Sequence, residues 1–291
     1  MRLSILIPSY NYDCTQLVLQ LLEQLPEDAE IIVGDDCSET DVLSPMADER
    51  VRVFRPEHNL GRASIRNRLA EEAKGEWLLF IDADAGVRSP HFIADYLTAS
   101  EQASVVCGGT GNLPECPRPA ARLRYDYEVK GEKRLTLSHR QSHPYAQFTT
   151  FNFLIKRNLF LSIGFDQRFL QYGHEDTLFG LELKKRNIHV LHIENKLTHL
   201  GIEDADDYLR KTETALRTLA SMPIELKQNA HVSKMTMRLK RLCLLDLTSF
   251  FFSLSKSSLR KNLLGKHPSQ LLFTLYKLGY YSCQEQTKCK L

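Results

Sequence analysis

Five places in the chain gather side chains able to handle protons, cations or anions. The stretch "GEWLLFIDADAG", residues 75–86, sets Asp82 and Asp84 one residue apart directly after five apolar residues. Strand side chains alternate, so a strand running through this pair would put both carboxylates on one side and Ala83 on the other. Carboxylates held that close repel, and they need either full solvation or a cation. The pattern alone leaves a metal site and a wet strand end both open. A second apolar run, "EIIVGDD", ends on Asp35 and Asp36, which suit a turn or the reception of N–H and hydroxyl donors. Arg62 and Arg66 are four apart in "NLGRASIRN" and share a helix face, either solvated or turned to phosphates. In "YGHEDTLFGLEL", Gly173 permits a tight turn, and His174, Glu175 and Asp176 follow at the head of a helix. Asp176 there is a helix cap or a general base facing an acceptor hydroxyl. His199 ends an alternating stretch just before Gly201, as a structural imidazole or a metal ligand.

These residues need elements to position them. Leu3–Ile7 reads as a buried strand ended by Pro8, followed by a helical pattern from about Thr15 to Leu25. "EIIVGDD" and "VRVF" are further strands, "NLGRASIRNRLAEEAKG" is a helix ended by Gly75, and "WLLFIDAD" is a fourth strand reaching Asp84. Short apolar strands alternating with helices, with polar residues at strand ends, predict an open α/β sheet whose site lies along that edge. The middle is less regular. "SVVCGGTG" is a strand entering glycine turns, and an irregular polar and aromatic stretch then runs to about Thr149. Order returns with "FNFLIKRNLFLSIG", a helix over roughly 176–186, and "HVLHIENKLTHLG" as one alternating strand. After about residue 205 the pattern is wholly helical.

The bulk properties agree with a catalytic body carrying an appendage. At 291 residues the chain can bury a large core, and its divisions fall at 1–204 and 205–291. The net charge of +2 conceals an asymmetry: from Tyr208 onward there are 15 Lys and Arg against 4 Asp and Glu. The body before it is acidic. Seven cysteines without a C-x-x-C pair fit reduced thiols of a cytoplasmic protein. The first apolar run is too short for a signal-peptide core, and no run of eighteen apolar residues marks a membrane span. The basic, leucine-rich helices of the tail can pack on the body, lie peripherally on the anionic inner face of a membrane, or form a homodimer contact. They contain no recognisable nucleic-acid reading motif, so no nucleic acid is expected as a partner.

Taken in order, these pieces resemble the family 2 glycosyltransferases of the GT-A fold. "LSILIPSYN" is similar to their opening strand and turn, and "EIIVGDDCSETD" to their acidic strand end. "NLGRASIRNRLAEEAKGEWLLFIDADA" resembles their helix leading into the D-x-D strand. "FNFLIKRNLFLSIGFDQRFLQYGHEDTLFGLELKKRN" resembles the galactosyltransferase-type C-terminal portion of the catalytic domain. The resemblance covers about residues 3–201. It implies a mixed, mostly parallel Rossmann-like sheet flanked by helices, with a helical C-terminal appendage.

The resemblance also implies roles. Pro8 and Tyr10 line the nucleotide end, Asp36 meets the uracil ring, and Arg66 lies beside it. Asp82 contacts ribose or the metal shell, while Asp84 binds Mn²⁺ or Mg²⁺ with the donor diphosphate and His199 completes the metal site. Asp176 is the base, and Glu175, with His174 and Tyr172, binds the acceptor. The implied reaction is inverting transfer of a hexose or N-acetylhexosamine from a UDP-sugar to a saccharide hydroxyl, the acceptor free or lipid-linked. The setting is surface polysaccharide or glycan synthesis. His174 and Cys37 depart from the family pattern, which favours glycine or Trp at the first position and glycine at the second. Three other readings stand beside it: a retaining enzyme of the same fold, a non-catalytic glycan or nucleotide-sugar binding module, and a haloacid-dehalogenase-like phosphatase. The last meets the D-x-D but in the wrong order, because its second acidic pair should follow the first and here stands at 35–36.

Overall fold

A computed structural model describes residues 2–167, 174–223, 227–228 and 230–288. The apolar runs become the strands of a seven-stranded sheet. Strands β1 (Leu3–Ser9), β2 (Ala29–Asp35), β3 (Val51–Phe54) and β4 (Trp77–Ile81) pair in parallel in the order β3-β2-β1-β4. Parallel strands are covered on both faces, which is why β2 and β4 read as unbroken apolar runs and are buried throughout. Side chains of β1 alternate between two cores. Ile5 and Ile7 pack with helices α1 (Thr15–Leu22) and α3 (Phe92–Ala99), and Leu6 packs on the other face with Leu69 of helix α2 (Arg62–Glu72). Gly34 lets α2 come close, because a Cβ there would lie 2.8 Å from Leu69 Cδ1. That close seat brings the arginines of α2 to the end of β4.

Beyond β4 the chain adds β5 (Ala85–Gly86), β6 (Val105–Cys107), β7 (Thr110–Gly111), β8 (Asn152–Lys156), β9 (Val190–His192) and β10 (Leu197–His199). The full order of the large sheet is β3-β2-β1-β4-β8-β6-β9, with β8 antiparallel to both neighbours and β6 parallel to β9. A second sheet, β5-β10-β7, has three short strands. The sheet is therefore mixed and mostly parallel, flanked by helices, as expected. Helix α6 (Arg157–Ile163) follows β8, and α7 (Glu175–Lys185) carries Phe179 into a cluster with Phe80, Phe153, Phe160 and Phe165. Phe80 and Phe153 stack across β4 and β8 with centroids 4.8 Å apart. Aromatic pairs of this kind add about 0.5–1.5 kcal/mol each beyond their buried area, so the head of α7 is held firmly to the sheet.

Three sequence expectations need correction. The fourth strand stops at Ile81, and Asp82–Asp84 form a turn closed by the Ala85 N–H donating to Asp82 O at 3.1 Å. The two-residue alternation invoked for Asp82 and Asp84 therefore does not apply. "HVLHIENKLTHLG" is two strands in different sheets, β9 and β10, separated where buried Asn195 donates from its side chain to Phe92 O at 2.9 Å. The stretch read as irregular up to Thr149 contains helices α4 (Arg122–Arg134) and α5 (Leu137–Ser142). Only Leu123 of α4 is buried, so it offers no apolar period to read.

Two units divide the chain. The first comprises Met1–Leu113, Glu132–Leu170 and Glu175–Gly201 and holds both sheets. The second comprises Pro114–Gly131, Gln171–His174 and Ile202–Leu291. Its described elements are helical: α8 (Ala205–Ser221), α9 (His231–Arg241), α10 (Leu245–Leu263) and α11 (Gln270–Lys288), with most of α4. The wholly helical reading after residue 205 holds for the described residues.

Candidate active site

Within the first unit, the turn after β4 gathers charged groups from three elements. Arg66, on the buried face of α2 and 3% exposed, pairs its Nη2 with Asp82 Oδ1. Arg62, one helical turn earlier, is half-exposed and stands 3.5 Å from Asp82 Oδ2 and 3.0 Å from Glu175 Oε1. Both oxygens of Asp82 are thus engaged by guanidinium groups. The four-residue spacing noted in the sequence is what lets one carboxylate receive both arginines. Arg66 is the inner partner, and its Nε is buried without a hydrogen bond among the described residues. Truncating it leaves Asp82 short of its main partner and opens a hole beside β4. Arg66→Ala is expected to lower stability by about 3 kcal/mol, read as a shift of the urea midpoint. A shift near zero would show that Arg62 alone compensates.

Asp176 sits in the first turn of α7, where the helix end favours negative charge. Thr150, two residues before β8, donates its hydroxyl to Asp176 Oδ1 at 2.8 Å. Burial dominates the carboxyl and, with the neighbouring charges of Glu175 and Asp82, outweighs the Thr150 hydrogen bond and Arg66; its pKa rises from 3.8 to about 6. A carboxylate pushed to that range is ionised at neutral pH yet is a better proton acceptor than a solvated one. Thr150 went unread in the sequence, since one Thr in "QFTTF" carries no spacing signal.

On the other side of the turn, Asp84 meets the small sheet. His199, at the end of β10, donates Nε2–H to Asp84 Oδ2 at 3.1 Å, and Leu200 N–H donates to Asp84 O at 2.8 Å. Burial pushes the Asp84 carboxyl up, but the hydrogen bond and charge of His199, followed by Arg62, hold it below its usual range. Gly201 makes the room: a Cβ there would stand 2.8 Å from the Asp84 Cβ and closer still to Oδ2.

The other predicted residues are placed as follows. Asp36 is buried at the end of β2, and its two oxygens accept Leu60 N–H at 2.7 Å and Gly61 N–H at 2.9 Å, tying down the entrance to α2. Asp35 accepts Arg55 Nη1–H at 2.6 Å and Ser38 N–H at 2.8 Å. Pro8 is half-buried in β1 beside Gly34, and Tyr10 is 53% exposed in the turn that follows. In the second unit, His174 has a left-handed backbone, φ 74°, and donates Nε2–H to Ala215 O of α8 at 3.2 Å. Tyr172 and Gly173 lie outside the described residues.

The residues present fit a divalent cation only in part. Among the described residues no three His, Cys, Asp or Glu side chains converge on a metal position. Asp82 is committed to two arginines, whereas Asp84 and His199 offer one carboxylate and one imidazole side by side. One oxygen and one nitrogen donor suit a hard or borderline ion such as Mn²⁺, which would take the place of the proton that His199 Nε2 directs at Asp84. Asp84 and His199 thus fit the ion, and Asp82 does not.

The model of glycosyl transferase family 2 matches residues 4–164, the stretch that holds strands β1 to β8 and the acidic turn after β4. The chain belongs to glycosyl transferase family 2. It is 42% identical over 85 residues to an uncharacterized glycosyltransferase of Haemophilus influenzae, over 28% of this chain and 29% of that protein. It is 36% identical over 88 residues to the putative teichuronic acid biosynthesis glycosyltransferase TuaG of Bacillus subtilis, over 28% of this chain and 35% of that protein. The matched segments thus span about a third of those two relatives. Among solved structures, the mannosyltransferase PcManGT of Pyrobaculum calidifontis, in complex with GDP-Man and Mn²⁺, superposes with a TM-score of 0.56 at 15% identity, covering 99% of this chain and 86% of that one. Residues 1–349 of TarS from S. aureus, in complex with UDP-GlcNAc, give 0.51 at 16% identity, covering 100% and 92%. At these identities the likeness is one of fold.

Proposed function

We propose that this chain is an inverting glycosyltransferase that moves a hexose or N-acetylhexosamine from a UDP-sugar to a saccharide hydroxyl, in the synthesis of a surface polysaccharide or glycan. The observation that supports it most is Asp176: a half-buried carboxyl with a pKa of about 6, oriented by Thr150 beside the Asp82–arginine group. In this reading the acceptor hydroxyl lies against Asp176 and gives it its proton. The acceptor oxygen forms a bond to the anomeric carbon as the bond from that carbon to the diphosphate oxygen breaks on the opposite face. The configuration inverts, so an α-linked donor yields a β-linked product, and the nucleoside diphosphate leaves with the bonding electrons. Asp176 then loses its proton to water. Glu175, fixed by Arg62 at 3.0 Å, stands next to the base and faces the acceptor sugar. Tyr10 and the Asp36 end of β2 flank the nucleotide.

A divalent cation bound at Asp84 and His199 would supply charge neutralisation to the departing diphosphate. Asp82 and Arg66 then act structurally at the ribose side rather than as ligands. The UDP-sugar assignment comes from the family resemblance, and the complexes of the two solved neighbours named above set the breadth of the test. Nucleoside diphosphate release is measured with UDP-galactose, UDP-N-acetylgalactosamine, UDP-glucose, UDP-GlcNAc and GDP-mannose, with Mn²⁺, Mg²⁺ and chelator. Release from a UDP-sugar and a β-linked product by NMR are expected; an α-linked product from an α-linked donor would overturn the inverting assignment, and preference for GDP-mannose the uridine one.

A further inference from the structure

In the second unit, helix α10 is apolar on two sides. One side is buried: Leu245, Ser249, Phe252 and Leu263 face inward, with the Phe252 ring against Tyr276 and Tyr280 of α11 at centroid distances of 5.3 and 6.4 Å. The opposite side faces water and carries Leu247, Phe250, Phe251 and Leu254, each 50–68% exposed. Their spacing of three, one and three residues places them in a single stripe on the helix. The same stripe continues C-terminally through exposed Ser258 to exposed Lys261. At its other end, the elbow where α9 and α10 meet, bent by 119°, adds exposed Leu242 and Leu244. Scattered exposed leucines are ordinary, whereas a contiguous stripe with two phenylalanines marks a contact surface.

Charge selects the occupant. Between residues 231 and 266 there are eight Lys and Arg against a single acid, Asp246. Exposed Arg238, Lys240 and Arg241 end α9 just before the apolar elbow, and Lys261 stands at the far end of the stripe. A second copy of this chain would meet the same basic rim across a two-fold axis, like charge against like. A bilayer with anionic headgroups meets both features at once: the apolar side chains enter the boundary between headgroups and acyl chains, and the basic ends face phosphate. No single described helix is long and apolar enough to cross a membrane, and α9 and α10 reach that length only together, across their 119° bend.

We propose that the Leu247–Phe250–Phe251–Leu254 stripe of α10, with the basic residues at its two ends, seats this chain on an anionic lipid surface. The full chain is floated through a density gradient with vesicles of phosphatidylcholine alone or mixed with phosphatidylglycerol. The wild-type chain is expected to rise with the mixed vesicles, and to do so much less when salt is raised from about 0.1 M to about 0.5 M. The double change Phe250→Ser/Phe251→Ser, and separately Leu247→Gln/Leu254→Gln, is expected to cut the floated fraction about tenfold. Circular dichroism and unfolding midpoints like those of the wild type identify which variants are folded, and two independent pairs keep the test alive if one fails. The proposal is overturned if the wild type does not float, if folded variants float as well as it does, or if light scattering shows a dimer that either variant converts to monomer. Flotation needs neither donor nor acceptor, so its failure leaves the transferase reading untouched, and failure of that reading leaves this one standing.

Discussion

Asp176→Asn is expected to bind nucleotide as the wild type does and to lose turnover by about 10²–10⁴-fold, the usual cost of removing a general base. Asparagine keeps the size of the side chain and can still receive the Thr150 hydroxyl, so the loss reports proton acceptance rather than shape. Isothermal calorimetry with nucleotide and initial rates with acceptor separate the two effects. Near-normal turnover would remove Asp176 from the mechanism. The pH dependence gives an independent check. With its pKa raised to about 6, Asp176 must lose its proton to act, so kcat/KM should climb about tenfold per pH unit below 6 and level off above it. The same shift predicts a stability effect of definite sign. The folded chain holds this proton more tightly than the unfolded chain, whose carboxyl titrates near 3.8, so stability is lost as pH rises from about 4 to about 6. The Asn variant escapes that loss. Relative to wild type, it should gain about 2 kcal/mol in urea unfolding at pH 8 compared with pH 4. A variant that is less active and more stable at neutral pH is the signature of a group kept for chemistry.

Gly201→Ala is the second large effect, because its added methyl runs directly into the Asp84 carboxylate. The added methyl stands 2.8 Å from the Asp84 Cβ and must push the carboxylate off its line with His199. At the cation site proposed for Asp84 and His199, displacing the carboxylate in this way is expected to cost about 10–100-fold in metal affinity. Calorimetry with Mn²⁺ and UDP should therefore show a matching loss of metal-dependent nucleotide affinity, with metal-independent affinity unchanged. Asp84→Ala removes the donor itself and should abolish the metal-dependent part entirely. Asp82→Asn should spare that part, because Asp82 answers to Arg66 and Arg62. Equal losses from Asp82→Asn and Asp84→Ala would instead make the pair a joint ligand set.

These predictions divide along the line between what the sequence displays and what only the fold assembles. Strands β1, β2 and β4 are legible as short apolar runs, and helix α2 from the glycines at 61 and 75 that bracket it rather than from an apolar face, since Arg66 lies on its buried side. The head of α7 is legible too, from a glycine followed by acids. Helix α4 is not, since its sequence "RLRYDYEVKGEKR" buries one side chain and shows no period. The partition of 189–201 into β9 and β10 is hidden for a different reason: each piece is three residues long, and residues 193–196 between them hold no glycine or proline to mark the break. In the site, residue types were readable and pairings were not. Asp82 and Asp84 look equivalent in the sequence, yet one faces two arginines and the other a histidine 115 positions away. Thr150 became a partner of Asp176 only because β8 runs backwards, which delivers the residues before that strand to the edge where the other strands end.

The wide spacing of the Asp84–His199 contact has a kinetic side. Closing a loop of 115 residues costs somewhat more chain entropy than any contact within β1 to β4, and the Asp84–His199 contact also needs a later part of the chain. As the chain leaves the ribosome, the four parallel strands are all made by Ile81, and Arg66 can reach Asp82 across sixteen residues. The histidine side must wait for residue 199, after the reversed strand has been inserted between β4 and β6. A metal-nucleotide ligand that needs both halves recognises only the finished chain. Adding it during refolding should raise the yield of native protein by mass action without hastening the earliest collapse.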